Sequence, residues 1–242
     1  MNALTATQIE RYQHQGYLVV EELLTSEEVD AFVAYEANRS DAAPRHLRLH
    51  CDDQHWSKLA HHPTITGVVE QLLAAPPSIV QTMYLNKPAD GGTGIALHQD
   101  SHYIRNEPNS LMACWLAMSD TDAANGGLCV VPGSNHRGLY EFSKVRDENE
   151  HTAWEKDYPM RDQTGKEWDE TMHSFDILGV ADSEIKKLTV NKGGGVFFTG
   201  MTVHGSFANH TPDRPRLAFA THYIREETWV YRTDIQDTVP VH

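Results

Sequence analysis

Two spacings of apolar residues divide the chain near residue 77. Ahead of that point, patterning and capping residues predict helices over "TATQIERYQHQG", "TSEEVDAFVAYEANRS" and "HPTITGVVEQLLA". Thr5 can cap the first and Gly16 stop it, Thr25 or Ser26 can cap the second, and the third must end before Pro76-Pro77. One apolar run among them, "YLVVEELL", predicts a strand. From residue 78 the period changes. "SIVQTMYLN", "SLMACWLAM", "LCVVPGS", "KKLTVN", "GVFFTG" and "RLAFATHYI" are β-rich, and turn signals such as Asn125-Gly126-Gly127 and Pro132-Gly133-Ser134 separate them. Helices in front of strands predict a mainly β fold with flanking helices, built around a double-sheet jelly roll. No repeat or linker interrupts the chain. It reads as one domain, 1–242, with a helical part over about 1–77 and a jelly-roll core over about 78–232. A polar, aromatic-bearing insertion over about 136–186 is far longer than an ordinary loop and predicts a lid or binding segment.

Composition narrows the class. With 242 residues and a net charge of −14, the chain has no basic run to hold a nucleic acid or an anionic membrane surface. The first residues form no apolar signal region, and no stretch approaches the length of a membrane span, so a cytoplasmic protein without membrane contact is expected. Cys51, Cys114 and Cys129 are odd in number and far apart, which suits neither a disulfide framework nor a C-x-x-C zinc site. Cys114 and Cys129 stand in apolar runs, as core residues do. The pattern specifies no oligomeric state.

The chemistry concentrates in "IALHQDSHY". In an extended segment His98 and Asp100 share a face while Gln99 points the other way, so an imidazole and a carboxylate converge. Those are two members of the 2-His-1-carboxylate set that holds non-haem iron(II). With 15 histidines in the chain an H-x-D is expected by chance, and His50-Cys51-Asp52 is a second copy, without a glycine approach or a partner motif. The first copy has a partner. His204 follows a β-rich run and precedes Gly205-Ser206, 104 positions beyond Asp100, and Arg214 and Arg216 follow, two planar forks suited to a carboxylate. A jelly roll brings such distant strands over one cavity.

Taken in order, "QIERYQHQGYLVVEELLTSEEVDAF", "NKPADGGTGIALHQDSHY", "WLAMSDTDAANGGLCVVPGSNHRG" and "TVHGSFANHTPDRPRLAF" resemble the Fe(II)/2-oxoglutarate-dependent oxygenases of the phytanoyl-CoA dioxygenase superfamily. The resemblance implies a double-stranded β-helix, cupin-like, and iron ligands at His98, Asp100 and His204. It implies Arg216 on the far carboxylate of 2-oxoglutarate, with Lys87, Trp115, Ser206 and Gln99 as further co-substrate contacts. Counting back from "LAFATHY" gives Arg216; counting forward from "HGS" falls between Arg214 and Arg216. Ala218 and Ala220 share the face of Arg216 and leave room for a ligand. The chain departs from the family pattern in "KGGGVFF" and at Thr199, neither a ligand position. The implied reaction consumes O2 and 2-oxoglutarate, releases succinate and CO2, and hydroxylates a substrate; halogenating relatives lack the carboxylate that Asp100 supplies.

The substrate expected is a small polar metabolite of amino acid, amine or phosphonate type, since the acidic balance disfavours a polyanionic acyl-CoA. Tyr103, Arg105 and Trp154 are its candidate contacts, with Tyr158 and Trp168 nearby; Arg105 could instead pair with Glu107. Alternatives are an acyl-CoA or other lipid-like substrate, a peptide substrate, and a non-catalytic metal-binding cupin-like module.

Overall fold

The computed structural model describes residues 3–40, 46–145, 147 and 149–242; the parts of the predicted helical region and insertion that fall on other residues lie outside it. The first helix, α1 (Ala6–Gln15), begins at a capping box, with Thr5 accepting from the Gln8 amide, and ends at Gly16 in the left-handed region. β1 (Tyr17–Val20) follows, then α2 (Ser26–Asn38), capped by Thr25 and Glu28 in the same way. The predicted strand "YLVVEELL" therefore stops at Val20. Glu22 has a positive φ of 56°, and the amides of Leu23 and Leu24 turn to the Gly193 carbonyl, which sends both leucines into the core instead of along a sheet. Three helices complete this half: α3 (Leu49–Asp52), α4 (Gln54–Ala60) and α5 (Pro63–Leu73). The first two are too short to leave a periodic signature, and no element was expected there.

The strands then run β2 (Pro77–Lys87), β3 (Ile95–His98), the one-turn α6 (Asp100–Tyr103), β4 (Asn106–Glu107), β5 (Met112–Ala117) and β6 (Leu128–Val130). The insertion carries β7 (Phe142–Lys144), β8 (Glu155–Arg161), β9 (Glu167–His173) and β10 (Phe175–Ile177). β11 (Lys186–Lys187), β12 (Gly195–Thr199), β13 (His204–Ser206), β14 (Arg216–Arg225), β15 (Trp229–Val230) and β16 (Val239–Pro240) end the chain. "KKLTVN" is shorter than expected, pairing only over β11 and through an isolated bridge between Val190 and Thr121.

Six strands form one antiparallel sheet in the order β1-β12-β5-β14-β2-β16, and four form a second in the order β11-β6-β13-β3. The sheets are open and do not close into a barrel. Alternation along β5 explains its unbroken apolar run. Met112, Cys114 and Leu116 join a core with Phe32, Trp56 and Val69 of the helices, whereas Ala113, Trp115 and Ala117 join Leu128 and Val130 of the smaller sheet. β14 splits likewise, with Phe219 and Tyr223 toward the helices and Ala218 and Ala220 between the sheets. At roughly 25 cal/mol per Å2 of apolar burial, each large side chain in these layers contributes about 2 kcal/mol. Small residues on the inner face of β14 leave space between the sheets, and the functional groups lie there. Cys51, Cys114 and Cys129 are free thiols. Among the described residues no helix is long and apolar enough to cross a membrane.

Candidate metal and co-substrate site

His98 ends β3 and His204 begins β13, and antiparallel pairing puts the two directly opposite each other. Gly205 makes the approach possible: a Cβ there would stand 2.8 Å from the Ile95 carbonyl oxygen. The two rings lie 4.2 Å apart between centroids. Asp100 reaches the same point by a route that strand alternation alone did not anticipate. β3 stops at His98, Gln99 stays extended, and Asp100 opens α6. His98 Nε2 lies 3.6 Å and His204 Nε2 3.7 Å from Asp100 Oδ1, and the three ligand atoms all fall within 4.8 Å of one another. These separations are too long for hydrogen bonds and wide enough to admit an ion.

Both imidazoles are aimed. His98 Nδ1 lies 2.8 Å from the Ala96 carbonyl and His204 Nδ1 3.0 Å from that of Thr202, so each Nδ1–H donates to the backbone two residues back and each Nε2 lone pair faces the cluster. Burial, reinforced by His98, lowers the His204 pKa to about 4, which keeps that imidazole neutral and able to coordinate. At Asp100 burial acts to raise the pKa, but the His204 and His222 imidazoles, with the hydrogen bond from His222, outweigh it and hold the carboxyl well below its ordinary value. The donor set is thus two imidazole Nε2 atoms turned to one point and an ionised carboxylate, which fits iron(II).

His222 is the participant that sequence reading missed. It is buried, its Nε2 lies 2.9 Å from Asp100 Oδ2, and the Gln81 amide donates to its Nδ1 at 3.2 Å. With Nδ1 accepting, Nε2 carries the proton, and the bond leaves Oδ1 toward the two histidines. The signal was available: His222 shares the β14 face of Arg216, Ala218 and Ala220 at period two.

One cavity of about 690 Å3 contains the cluster and extends along β2 and β14. Arg216 lines it, 2 % exposed, donating from Nε to the Gly126 carbonyl at 3.0 Å and lying 5.7 Å over the Trp115 ring. Burial lowers its pKa to about 10, so it stays charged at neutral pH. Lys87, opposite Arg216 in the strand register, donates to Ser206 Oγ at 2.8 Å and to the Phe207 carbonyl at 2.5 Å. Burial and the neighbouring Arg216 bring its pKa down to about 6. Trp115 and Ser206 also line the cavity, and Trp115 packs in the core as well. Arg214 is elsewhere, exposed and paired with Asp122 at 2.8 Å.

The other expected residues divide between the cavity and elsewhere. Gln99, expected as a co-substrate contact, is fully buried and turned away. Its amide donates to the carbonyls of Gly138 and Met201 and its oxygen accepts from the Tyr140 amide, so it fastens the metal motif to the start of the insertion. Arg105, expected at the substrate, lies outside the cavity lining, half-exposed against Glu170 and over the Tyr231 ring; the predicted partner Glu107 accepts from Tyr231 instead. Tyr103 and Trp154 do line the cavity, as does Tyr158, whereas Trp168 does not. His50 is buried on α3 against Thr82, on the helix side of β2 and apart from the cluster.

Comparison with known proteins identifies the family and the fold. Residues 2–218 match the phytanoyl-CoA dioxygenase (PhyH) family profile. A phytanoyl-CoA dioxygenase domain-containing protein 1 from Danio rerio is 25 % identical over 96 % of this chain and 94 % of its own length. The ectoine dioxygenase of Bordetella parapertussis is 25 % identical over 94 % of this chain and 78 % of its own. Among solved structures, the epimerase SnoN in complex with Fe3+, alpha ketoglutarate and nogalamycin RO has the same fold, with a TM-score of 0.68 and 21 % identity over 94 % of this chain and 86 % of its own. The chain belongs to the phytanoyl-CoA dioxygenase family and is an iron- and 2-oxoglutarate-dependent dioxygenase with O2 as its second co-substrate.

Proposed function

We propose that this dioxygenase hydroxylates a small polar metabolite of amino acid, amine or phosphonate type, releasing succinate and CO2. In this reading His98, Asp100 and His204 hold the iron, Arg216, Lys87, Ser206 and Trp115 receive 2-oxoglutarate, and the described chain acts as one catalytic domain. The observation that carries it is that all seven side chains line a single cavity. Iron, when bound, supplies the oxidation of both 2-oxoglutarate and substrate by O2. The chain's part is position and exclusion of water. Arg216 offers a buried, charged fork, and a paired carboxylate is worth most where the pair is shielded from water. Lys87 enters as a neutral amine near pH 7, and an incoming carboxylate favours its protonation in place. His222 fixes the Asp100 carboxylate, and with that carboxylate occupying a ligand position the product is hydroxylated, not halogenated.

Size supports a small substrate. A volume of about 690 Å3 lies within the roughly 300–1,000 Å3 of single-ligand sites, and here it must hold co-substrate and substrate together. An acyl chain is the second reading, favoured by the apolar walls from Leu47, Met83, Leu85 and Ile104. Three free thiols are consistent with the reducing cytoplasm, where we place the protein.

The test has two stages. Anaerobic addition of 2-oxoglutarate to the iron(II) protein should raise a visible charge-transfer band, and a screen of amino acids, amines, phosphonates and acyl thioesters should then find succinate release stimulated by a member of the first three classes. No band would overturn the co-substrate site. Stimulation by acyl thioesters alone would replace the first reading with the second.

A further inference from the structure

A second buried arginine faces the same cavity and has no part in the co-substrate site. Arg232 follows β15, is 3 % exposed, and lines the cavity beside Tyr103 and Tyr158. One edge of its guanidinium is engaged: Nε donates to Asp234 Oδ1 at 3.0 Å and Nη2 to Asp234 Oδ2 at 2.6 Å. The other amino group, Nη1, has a long bond of 3.5 Å to the Tyr103 carbonyl. A guanidinium carries five N–H donors, so donor capacity remains on the Nη1 side.

Asp234 takes one edge of the fork, and the edge toward Tyr103 is left open to a further acceptor. The Asp234 side chain is 35 % exposed, where water screens it, whereas that of Arg232 is 4 % exposed. The two cavity arginines address different regions. Arg216 has its partners on β2 and at the Gly126 turn; Arg232 has its on α6 and the hairpin of β8 and β9, with its Cζ 3.9 Å over the Tyr158 ring. Tyr103, whose ring centroid is 5.7 Å from that of His98, spans the distance between Arg232 and the metal cluster. Trp154 stands against Tyr103 at 5.5 Å.

We infer that Arg232 is the docking point for a carboxylate on the substrate, with Tyr103, Trp154 and Tyr158 walling the body that the carboxylate orients toward the metal cluster. The inference rests on the proposed hydroxylase reading and narrows it. A monoanion suits the site better than a doubly charged phosphonate, because Asp234 already shares the guanidinium.

The enzyme loaded with nickel(II) in place of iron, and saturated with 2-oxoglutarate so that Arg216 is occupied, can be titrated calorimetrically with butanoic, hexanoic and 3-phenylpropanoic acids, each against its primary amide. At least one acid should bind roughly tenfold or more tighter than its amide. Arg232→Gln should abolish that preference while 2-oxoglutarate binding stays within about twofold. Arg232→Lys, which keeps the charge but loses the fork, should lower the preference without abolishing it. Equal binding of every acid and amide, a preference that survives Arg232→Gln, or loss of 2-oxoglutarate binding in Arg232→Gln would each overturn the assignment. Failure of the unmodified enzyme to bind 2-oxoglutarate would instead overturn the underlying reading.

Discussion

Arg214 and Arg216 carry the same fork two positions apart, and burial separates their roles. Arg216 lies in the cavity wall with its guanidinium on the Gly126 carbonyl, whereas Arg214 is exposed and satisfied by Asp122. Removing a charge-assisted pair from a desolvated pocket costs about 2–4 kcal/mol, so Arg216→Gln should weaken 2-oxoglutarate binding by about 30-fold to 1,000-fold. An exposed ion pair contributes under about 1 kcal/mol, and Arg214→Gln should leave the affinity within about fivefold. Equilibrium titration of both variants with 2-oxoglutarate decides it, and a large defect in Arg214→Gln would remove Arg216 from the co-substrate role. At this scale chemistry was legible where residue type and spacing coincide, as at His98, Asp100 and His204. It was not legible at His222, a single imidazole in an apolar strand, nor at Gln99, whose place inside the metal motif suggested a ligand contact while its side chain serves three backbone groups.

Elements show the same division for a different reason. Strands buried on both faces announce themselves as apolar runs, which is why β5, β12 and β14 lie where the sequence put them. β8 and β9 could not, because along them chiefly Met160 and Met172 are buried and the rest is polar or exposed. Their hairpin still had a local sign: Asp162 Oδ1 accepts from the amides of Thr164 and Lys166, and Gly165 takes the positive φ of 87° that closes the turn. The hairpin is paired throughout, and its turn end is tied to the segment after β15 through the Met160–Arg232 bridge and the bonds from the Arg161 amide to the Tyr231 carbonyl and from the Thr233 amide to the Pro159 carbonyl. Tyr158, on its first strand, and Trp154, just before it, line the cavity. An element with little buried apolar surface opens at low free energy, and one that closes over ligand is protected by it. Hydrogen exchange should therefore show weak protection over residues 152–173 in the free protein and a clear increase with nickel(II), 2-oxoglutarate and substrate bound. Unchanged exchange in the full complex would deny the hairpin a covering role.

Across the molecule, β2 separates two buried imidazoles. Gln81, Met83, Leu85 and Lys87 face the cavity, while Thr82, on the opposite face, holds His50 through Nδ1 at 3.1 Å. His204, in the cavity, and His50, on the helix side, both have pKa values lowered to about 4, in each case chiefly by burial. An unfolded chain takes up protons at histidine near pH 6.5, so between that pH and about 4 the unfolded state binds more protons than the folded one. Stability must therefore fall as pH drops through this window, by up to about 3 kcal/mol for His204. Lys87, lowered to about 6, acts in the same direction at higher pH, between its ordinary value and 6. Metal binds only the folded cluster and adds stability according to its saturation, about 2.7 kcal/mol at one hundred times its dissociation constant. Because His50 and the cluster share no partner across the strand, their effects should add. Urea unfolding at pH 7 and pH 5, with EDTA or with nickel(II), should show His50→Gln flattening the pH dependence while leaving the nickel increment at pH 7 intact. His204→Gln should flatten the pH dependence and abolish the increment. If His50→Gln erases the nickel increment as well, the two faces of β2 are coupled, and His50 belongs to the metal site from which its position separates it.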